Sequence, residues 1–391
     1  MSRSALLLLL CFIAFISLGL PDAILGVAWP SMTGELDATL DRLGLIIVGG
    51  TSGYIISSFM TGAVLRLIGV SWLLIGSGLL TTVGLILVTV VDSWLYLPFI
   101  ALISGLGGGG IDAALNTYVE KHYSGRVMQW LHASFGVGVT IGPLIMTGAL
   151  VATGQWRVGY LVVIVLMLLM IATFLYFRKL WDDPDQTEEV HDEPSSTLID
   201  SLRLPVVWFS MATFFFYTSV EIGVGMWSFT LLTESRGVSV EQAGFWVSVY
   251  WGSFTVGRLV AGLLSERLGD MKMTLIGLSM SYVGIMGYLF VWPGPGGVYS
   301  LVLIGFGLAP TFPALISTTS ERVPKSHVAN TVGMQIAAAG VGMLIIPGVM
   351  TWAVGLFGIE IIVSIFAALL ALVLVTVGIL NNSAKNNPKP V

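Results

Sequence analysis

Charged positions are so sparse along this chain that long runs pass without one. Twelve segments reach the roughly 20 mostly apolar residues that a helix needs to cross a bilayer. They run near residues 5–29, 43–66, 71–91, 94–119, 129–153, 158–178, 204–232, 240–265, 273–292, 297–319, 328–353 and 357–380. Between the sixth and seventh lies RKLWDDPDQTEEVHDEPSSTLIDSLR, residues 178–203, the one long polar stretch. The pattern therefore predicts an N-terminal six-helix half over 1–178, a linker over 179–203 and a C-terminal six-helix half over 204–391.

Composition agrees. Of the 391 residues, 55% are hydrophobic and 10% charged, and the mean hydropathy is +0.92. A soluble domain carries about 25% charged residues, so this chain has too few to cover a soluble surface. An all-α integral membrane protein is expected. A single cysteine, Cys11, leaves no internal disulfide. The apolar N-terminal run continues to about Trp29 without a small-residue cleavage site, so it reads as a retained spanning helix.

Basic residues orient the bundle. With both termini placed in the cytoplasm, most of the 17 Lys and Arg fall in cytoplasmic segments. Arg42, Arg157 and Arg236 fall outside, and Arg258 lies within a span. The expected location is the plasma (inner) membrane, crossed many times.

The second half echoes the first at an offset near 200. GLGGGGIDAALN at 105–116 aligns without a gap on GFGLAPTFPALI at 305–316. GAVLRLIG at 62–69 aligns on GLLSERLG at 262–269. GVGVTIGP at 136–143 aligns on GVGMLIIP at 340–347, at an offset of 204. Asp22 and Glu221 are 199 apart and each precedes a glycine by four residues, Gly26 and Gly225. These two isolated acids thus occupy equivalent places on the first and seventh helices.

Two six-helix halves related by a repeat resemble the major facilitator superfamily. GLLSERLGDMK at 262–272 looks like the family's loop motif, Gly-x-x-x-Asp/Glu-Arg-x-Gly-basic, and assigns Gly262, Glu266, Arg267 and Gly269 to a gating or structural role. The first-half counterpart has Arg66 where the acid belongs. YTSVEIGVGMW at 217–227, LHASFGVG at 131–138 and IDAALN at 111–116 resemble the fucose/galactose/glucose-proton symporter branch and its fungal and animal relatives. The resemblance implies two bundles that rock in alternating access, moving a small polar solute with a coupling ion.

A charged group inside the bilayer costs ~2.5–3.5 kcal/mol on insertion scales, so such residues face the bundle interior and tend to have a role. Away from span ends the charged residues are Asp22, Asp112, Glu221 and Arg258, joined by His132, Asn116 and Gln335. Asp112 and Asn116, four apart, share a helix face. Together they can bind a sugar hydroxyl, or they can tie the fourth helix to its neighbours. Asp22 follows Pro21 and is a candidate proton carrier, or else a fixed partner of another group. Glu221 and His132 are further candidates for proton coupling. Arg258 is expected in a structural or gating ion pair, with Glu221 or Asp112, unless it snorkels to the inner surface. Trp227, Tyr250 and Trp251 lie away from the interfacial belts and can stack on a solute or simply pack. With Asn116 and Gln335 they form the candidate solute site.

Other classes lack the residues they need. No P-loop is present, and GLGGGGID lies in a spanning segment with no strand before it. No metal-ligand spacing, nucleophile elbow or basic cluster for nucleic acid occurs. No enzyme activity and no cofactor are expected. The expected partners are a small solute, H+ or Na+, and the lipid bilayer, around a monomer. The preferred expectation is proton-coupled symport of a monosaccharide. GVTIGP at 138–143, similar to an antiporter motif, keeps a drug or metabolite efflux antiporter as the rival.

Overall fold

The computed structural model describes residues 2–39, 42–181, 196–290 and 296–386. The linker expected over 179–203 is thus described only at its two ends. The fold is all-helical across the described residues. We number the spanning helices α1 (Arg3–Glu35), α2 and α3 (the two arms of Leu43–Val90, 43–68 and 70–90), α4 (Leu97–His122), α5 (Gly125–Thr153) and α6 (Trp156–Tyr176). The second set is α7 (Pro205–Thr230), α8 (Val240–Leu268), α9 (Asp270–Phe290), α10 (Gly296–Leu308 continued by Thr311–Ser317), α11 (Val328–Phe357) and α12 (Ile361–Asn386). A short helix, Leu198–Leu202, closes the linker. The protein is a multi-pass membrane protein with the twelve spans that the hydrophobic pattern predicts.

Local chemistry sets the ends. The Ser2 hydroxyl caps α1 by accepting from the Ala5 amide at 3.3 Å, and Ser239 does the same for α8 through Gln242, each satisfying an orphan N–H. Pro205 stands at the first turn of α7, where its missing donor costs nothing. Pro21 and Pro30 lie inside α1 without ending it. Gly69, at φ 73°, breaks α2 from α3, and Gly269, at φ 79°, ends α8. These repeat-related positions both need a backbone that a Cβ would strain. On α6, Val163, Met167, Met170 and Phe174 are buried, while Leu161, Val165 and Leu169 on other faces are exposed. A helix apolar on both sides suits a lipid surround.

The chain forms two compact units. The first comprises residues 1–118, 131–201 and 326–337, and the second comprises 119–130, 202–325 and 338–391. In the first, α6 packs on α1 and on the α2–α3 hairpin. In the second, α10 packs on α8 and α9, and α12 on α7 and α9. Small residues let backbones meet. Gly138 on α5 sits against the Ile16 carbonyl of α1, and Gly342 on α11 sits against the Phe215 carbonyl of α7. The two contacts are related by the repeat.

Candidate functional sites in the two units

The α4 glycine run decides how the first site is built. A Cβ at Gly107 or Gly110 would strike Ser77 on α3, and one at Gly109 would strike the backbone of Tyr54 and the hydroxyls of Ser57 and Ser58 on α2. The run is therefore a packing surface, and it draws α2 against α4. This places the Tyr54 hydroxyl on Asp112, to whose Oδ2 it donates. Asn116, one turn further along α4, donates from Nδ2 to Asp112 Oδ1 at 2.7 Å and to the Asp112 carbonyl at 3.0 Å. Its Oδ1 lies 3.0 Å from His132 Nε2 on α5. Phe15 of α1 meets the His132 ring edge-on at 5.4 Å.

The network has a direction. An ionised carboxylate only accepts, so the amide nitrogen of Asn116 faces Asp112 and its oxygen faces His132. That oxygen also only accepts, so His132 carries a proton on Nε2. Asp112 and His132 are each 7% exposed and Asn116 is fully buried. Asp22 on α1 differs in being exposed. Its charge and that of Asp112 repel, and the Tyr54 hydroxyl feels both. Three candidate residues, Asp112, Asn116 and His132, thus meet through hydrogen bonds in the first unit, and Asp22 belongs to the same unit. Sequence reasoning missed Tyr54; the signal was a tyrosine far from a span end.

The second unit answers with different chemistry. Glu221 on α7 lies 4.0 Å from Arg258 on α8, both side chains nearly buried. A buried charge is tolerable only with a partner. The guanidinium also stacks on Phe254 at 4.4 Å. The Tyr250 hydroxyl donates to the Glu221 backbone carbonyl at 2.8 Å, and Tyr217 donates to Leu308 of α10. Trp251 packs edge-on against Tyr250 at 5.0 Å and is 37% exposed; Gly225 leaves room for its indole. The half-buried Trp227 has an indole N–H with no hydrogen-bond partner among the described residues. Gln335, fully buried on α11, lies in the 326–337 stretch that clusters with the first unit.

Loop-motif residues lie elsewhere. Glu266 pairs with Arg126 at 2.7 Å. Gly262 receives the Trp130 indole, and Arg267 is exposed. The first-half counterpart inverts the chemistry: Arg66 donates to Asn330 Oδ1 at 2.9 Å. Asn330 Nδ2 in turn reaches the Ser201 hydroxyl at 3.0 Å and the Thr197 carbonyl at 3.2 Å, holding the linker helix. In the second unit, Arg322 donates to Thr318 and the Leu315 carbonyl. Burial pulls its guanidinium down to about 10, which leaves it a cation at neutral pH. Gly125, Glu266, Gly269, Asp270, Thr318 and Glu321 are among the residues lining a cavity of about 580 Å³ beside the 262–272 motif.

Comparison with known proteins bears on the whole chain. The chain is 23% identical over 400 residues to Bypass of stop codon protein 6 of Saccharomyces cerevisiae, covering 93% of this chain and 80% of that one. It is 20% identical to the glucose/mannose transporter GlcP of Bacillus subtilis, covering 93% and 92%. The solved structure of the E. coli fucose:proton symporter FucP superposes with a TM-score of 0.80 at 14% identity, over 97% of this chain and 99% of that one. The family model for the Major Facilitator Superfamily matches residues 8–347. With twelve spans, an internal repeat and this match over most of its length, the chain belongs to the major facilitator superfamily, a family of transporters.

Proposed function

We propose that this transporter carries a monosaccharide together with a proton by alternating access, with both termini in the cytoplasm and the monomer as the working unit. The observation that carries the reading is the Tyr54–Asp112–Asn116–His132 chain in the first unit, which also holds exposed Asp22. Two acids close together in a membrane protein, one open and one enclosed, suit a group that loads and a group that responds. Asp22 and Asp112 are the coupling acids. Half-buried Trp227 and exposed Trp251 are the side chains of the second unit left for a solute to meet, while Asn116, Gln335 and Tyr250 are fully buried and would reach it only in another state of the cycle. Glu221 is bound into its pair with Arg258, which favours a gating or structural part for both. The sugar class is supported by the glucose/mannose transporter among the relatives. The glycines of the antiporter-like stretch, Gly138 and Gly142, close-pack on the α1 backbone, which accounts for them without efflux.

The test uses proteoliposomes and a panel of D-glucose, D-mannose, L-fucose and D-xylose under a pH gradient in each direction. Asp22→Asn removes the charge and nearly keeps the shape. Proton-driven accumulation should vanish, while exchange of labelled for unlabelled sugar survives because the amide mimics the neutral acid. Accumulation by Asp22→Asn equal to that of the unmodified protein would remove Asp22 from the coupling role. A lipophilic cation that binds while no sugar competes would transfer the reading to efflux.

A further inference from the structure

Asp112 is enclosed, and each of its carboxylate oxygens already accepts a hydrogen bond, Oδ2 from Tyr54 and Oδ1 from Asn116. Asp22 is open. A proton arriving from water therefore meets Asp22 first and must cross protein groups to reach Asp112. The Asn116 amide cannot hand it on, because an amide nitrogen offers no lone pair to accept a proton. A phenol can, accepting on oxygen while it releases its own hydrogen. The Tyr54 hydroxyl is bonded to Asp112, and its ring flanks Gly108 together with Leu18, which stands one helical turn before Asp22 on α1.

Resting on the proton-coupling reading above, we propose that Tyr54 is the proton relay between Asp22 and Asp112. The acid proton of Asp22 passes to the Tyr54 oxygen as the Tyr54 O–H bond breaks, and the hydrogen released bonds to Asp112 Oδ2. Asp22 ends as a carboxylate, Asp112 as a neutral acid and Tyr54 as a phenol again, so charge and atoms balance without a co-reactant. The arriving proton also costs Asp112 its anionic hold on Asn116, whose oxygen is fixed by His132. Protonation is thereby transmitted from α1 through α2 and α4 to α5. The facing groups are Asp22 on α1, Tyr54 on α2, Asp112 and Asn116 on α4, and His132 on α5.

The repeat supplies an independent check. The position 200 residues after Tyr54 is Phe254, and the one after Asp112 is Phe312. Phe254 lacks the hydroxyl and stacks on Arg258 instead. The second unit keeps an acid, Glu221, but has neither a phenol nor a carboxylate at the two positions that would relay and receive. The fold is repeated while the polar chain is confined to one half, so helix packing by itself does not require the Tyr54 hydroxyl.

Tyr54→Phe keeps the ring and removes the relay. With the best-transported sugar of the panel, proton-driven accumulation should fall roughly tenfold or more while equal-pH exchange stays within about twofold, since a positioned proton-transfer group contributes at least that much. Tyr54→His restores a group that accepts and gives protons and should recover part of the accumulation. Accumulation and pH profile unchanged in Tyr54→Phe would overturn the relay while leaving the symport reading intact. A parallel loss of accumulation and exchange, with no recovery in Tyr54→His, would also overturn it by making Tyr54 a packing residue. Failure of the unmodified protein to couple sugar to the pH gradient is a different result, which removes the symport reading and the relay together.

Discussion

Arg157 within the first unit and Arg236 within the second make the same stitch in opposite polarity. Arg157, at the start of α6, pairs with Glu35 at the end of α1 and donates to the Thr89 carbonyl of α3 at 3.0 Å. Arg236, just past α7, pairs with Glu360 in the turn before α12 at 2.7 Å and donates to the Tyr288 carbonyl of α9 at 2.9 Å. Base and acid have exchanged helices between the repeats, yet the three helices tied are equivalent. The stitch in the second unit is the drier one, since the Arg236 side chain is 2% exposed and stacks on Tyr288 at 4.6 Å.

Glu360 gives this second stitch a pH dependence. Its hydrogen bond from Arg236 holds the carboxyl below its usual 4.5, against a weaker opposing effect of burial. The stabilisation is complete above the ordinary value and is lost as pH falls through the lowered one. Glu360 is half exposed, so the pair is worth less than about 1 kcal/mol. Thermal unfolding in detergent should show Glu360→Gln below the unmodified protein at pH 7, with the two curves converging as pH falls below the ordinary carboxyl value. A constant gap across that range would show that the charge is not the cause.

Asn330 and Glu266 sit at repeat-related stitches but should differ in cost. Asn330 is fully buried, accepts from Arg66 and donates into the linker helix. Asn330→Ala strands those partners and should cost about 1–3 kcal/mol. Glu266→Gln touches a pair exposed by 35% and 50%, and should cost no more than about 1 kcal/mol. Melting temperatures in one detergent decide the order, and a reversed order would refute it.

His132 should hold its proton on Nε2. Nitrogen-15 NMR with labelled histidine can read the tautomer directly, and the chain has 4 histidines, one of them within a span. Asn116→Leu removes the acceptor and should release the preference. His132→Gln, which retains a donor, should preserve more sugar transport than His132→Leu. A proton on Nδ1 alone in the unmodified protein would reverse the direction assigned to the whole chain.

Orientation is open to labelling. Gln155 is exposed in the α5–α6 turn, and Arg267 is exposed near the end of α8. A membrane-impermeant thiol reagent added to intact cells should modify Gln155→Cys and leave Arg267→Cys untouched, in a Cys11→Ser background. The opposite labelling would invert the topology drawn from the basic residues.

The helical fold was legible in the sequence because a bilayer leaves few alternatives. Backbone polar groups must be satisfied within each span, so twelve apolar runs of sufficient length mean twelve helices. Gly69 and Gly269 were likewise readable as repeat-related positions. Residue types also announced Asp22, Asp112, Glu221 and Arg258, since charges are costly there. Their partners were not legible. Asp112 and Asn116 were expected to share a face, but that spacing could not tell a solute site from a mutual hydrogen bond. Tyr54 lies 58 residues from Asp112, and only the packing of α2 on the α4 glycines brings them together. Arg258 had Glu221 and Asp112 as equal candidates until α8 settled beside α7. What the chain determined alone was the number and length of its helices and which polar groups each must hide. Which group hides against which was decided by the tertiary structure, because helix packing brings together residues that no local spacing relates.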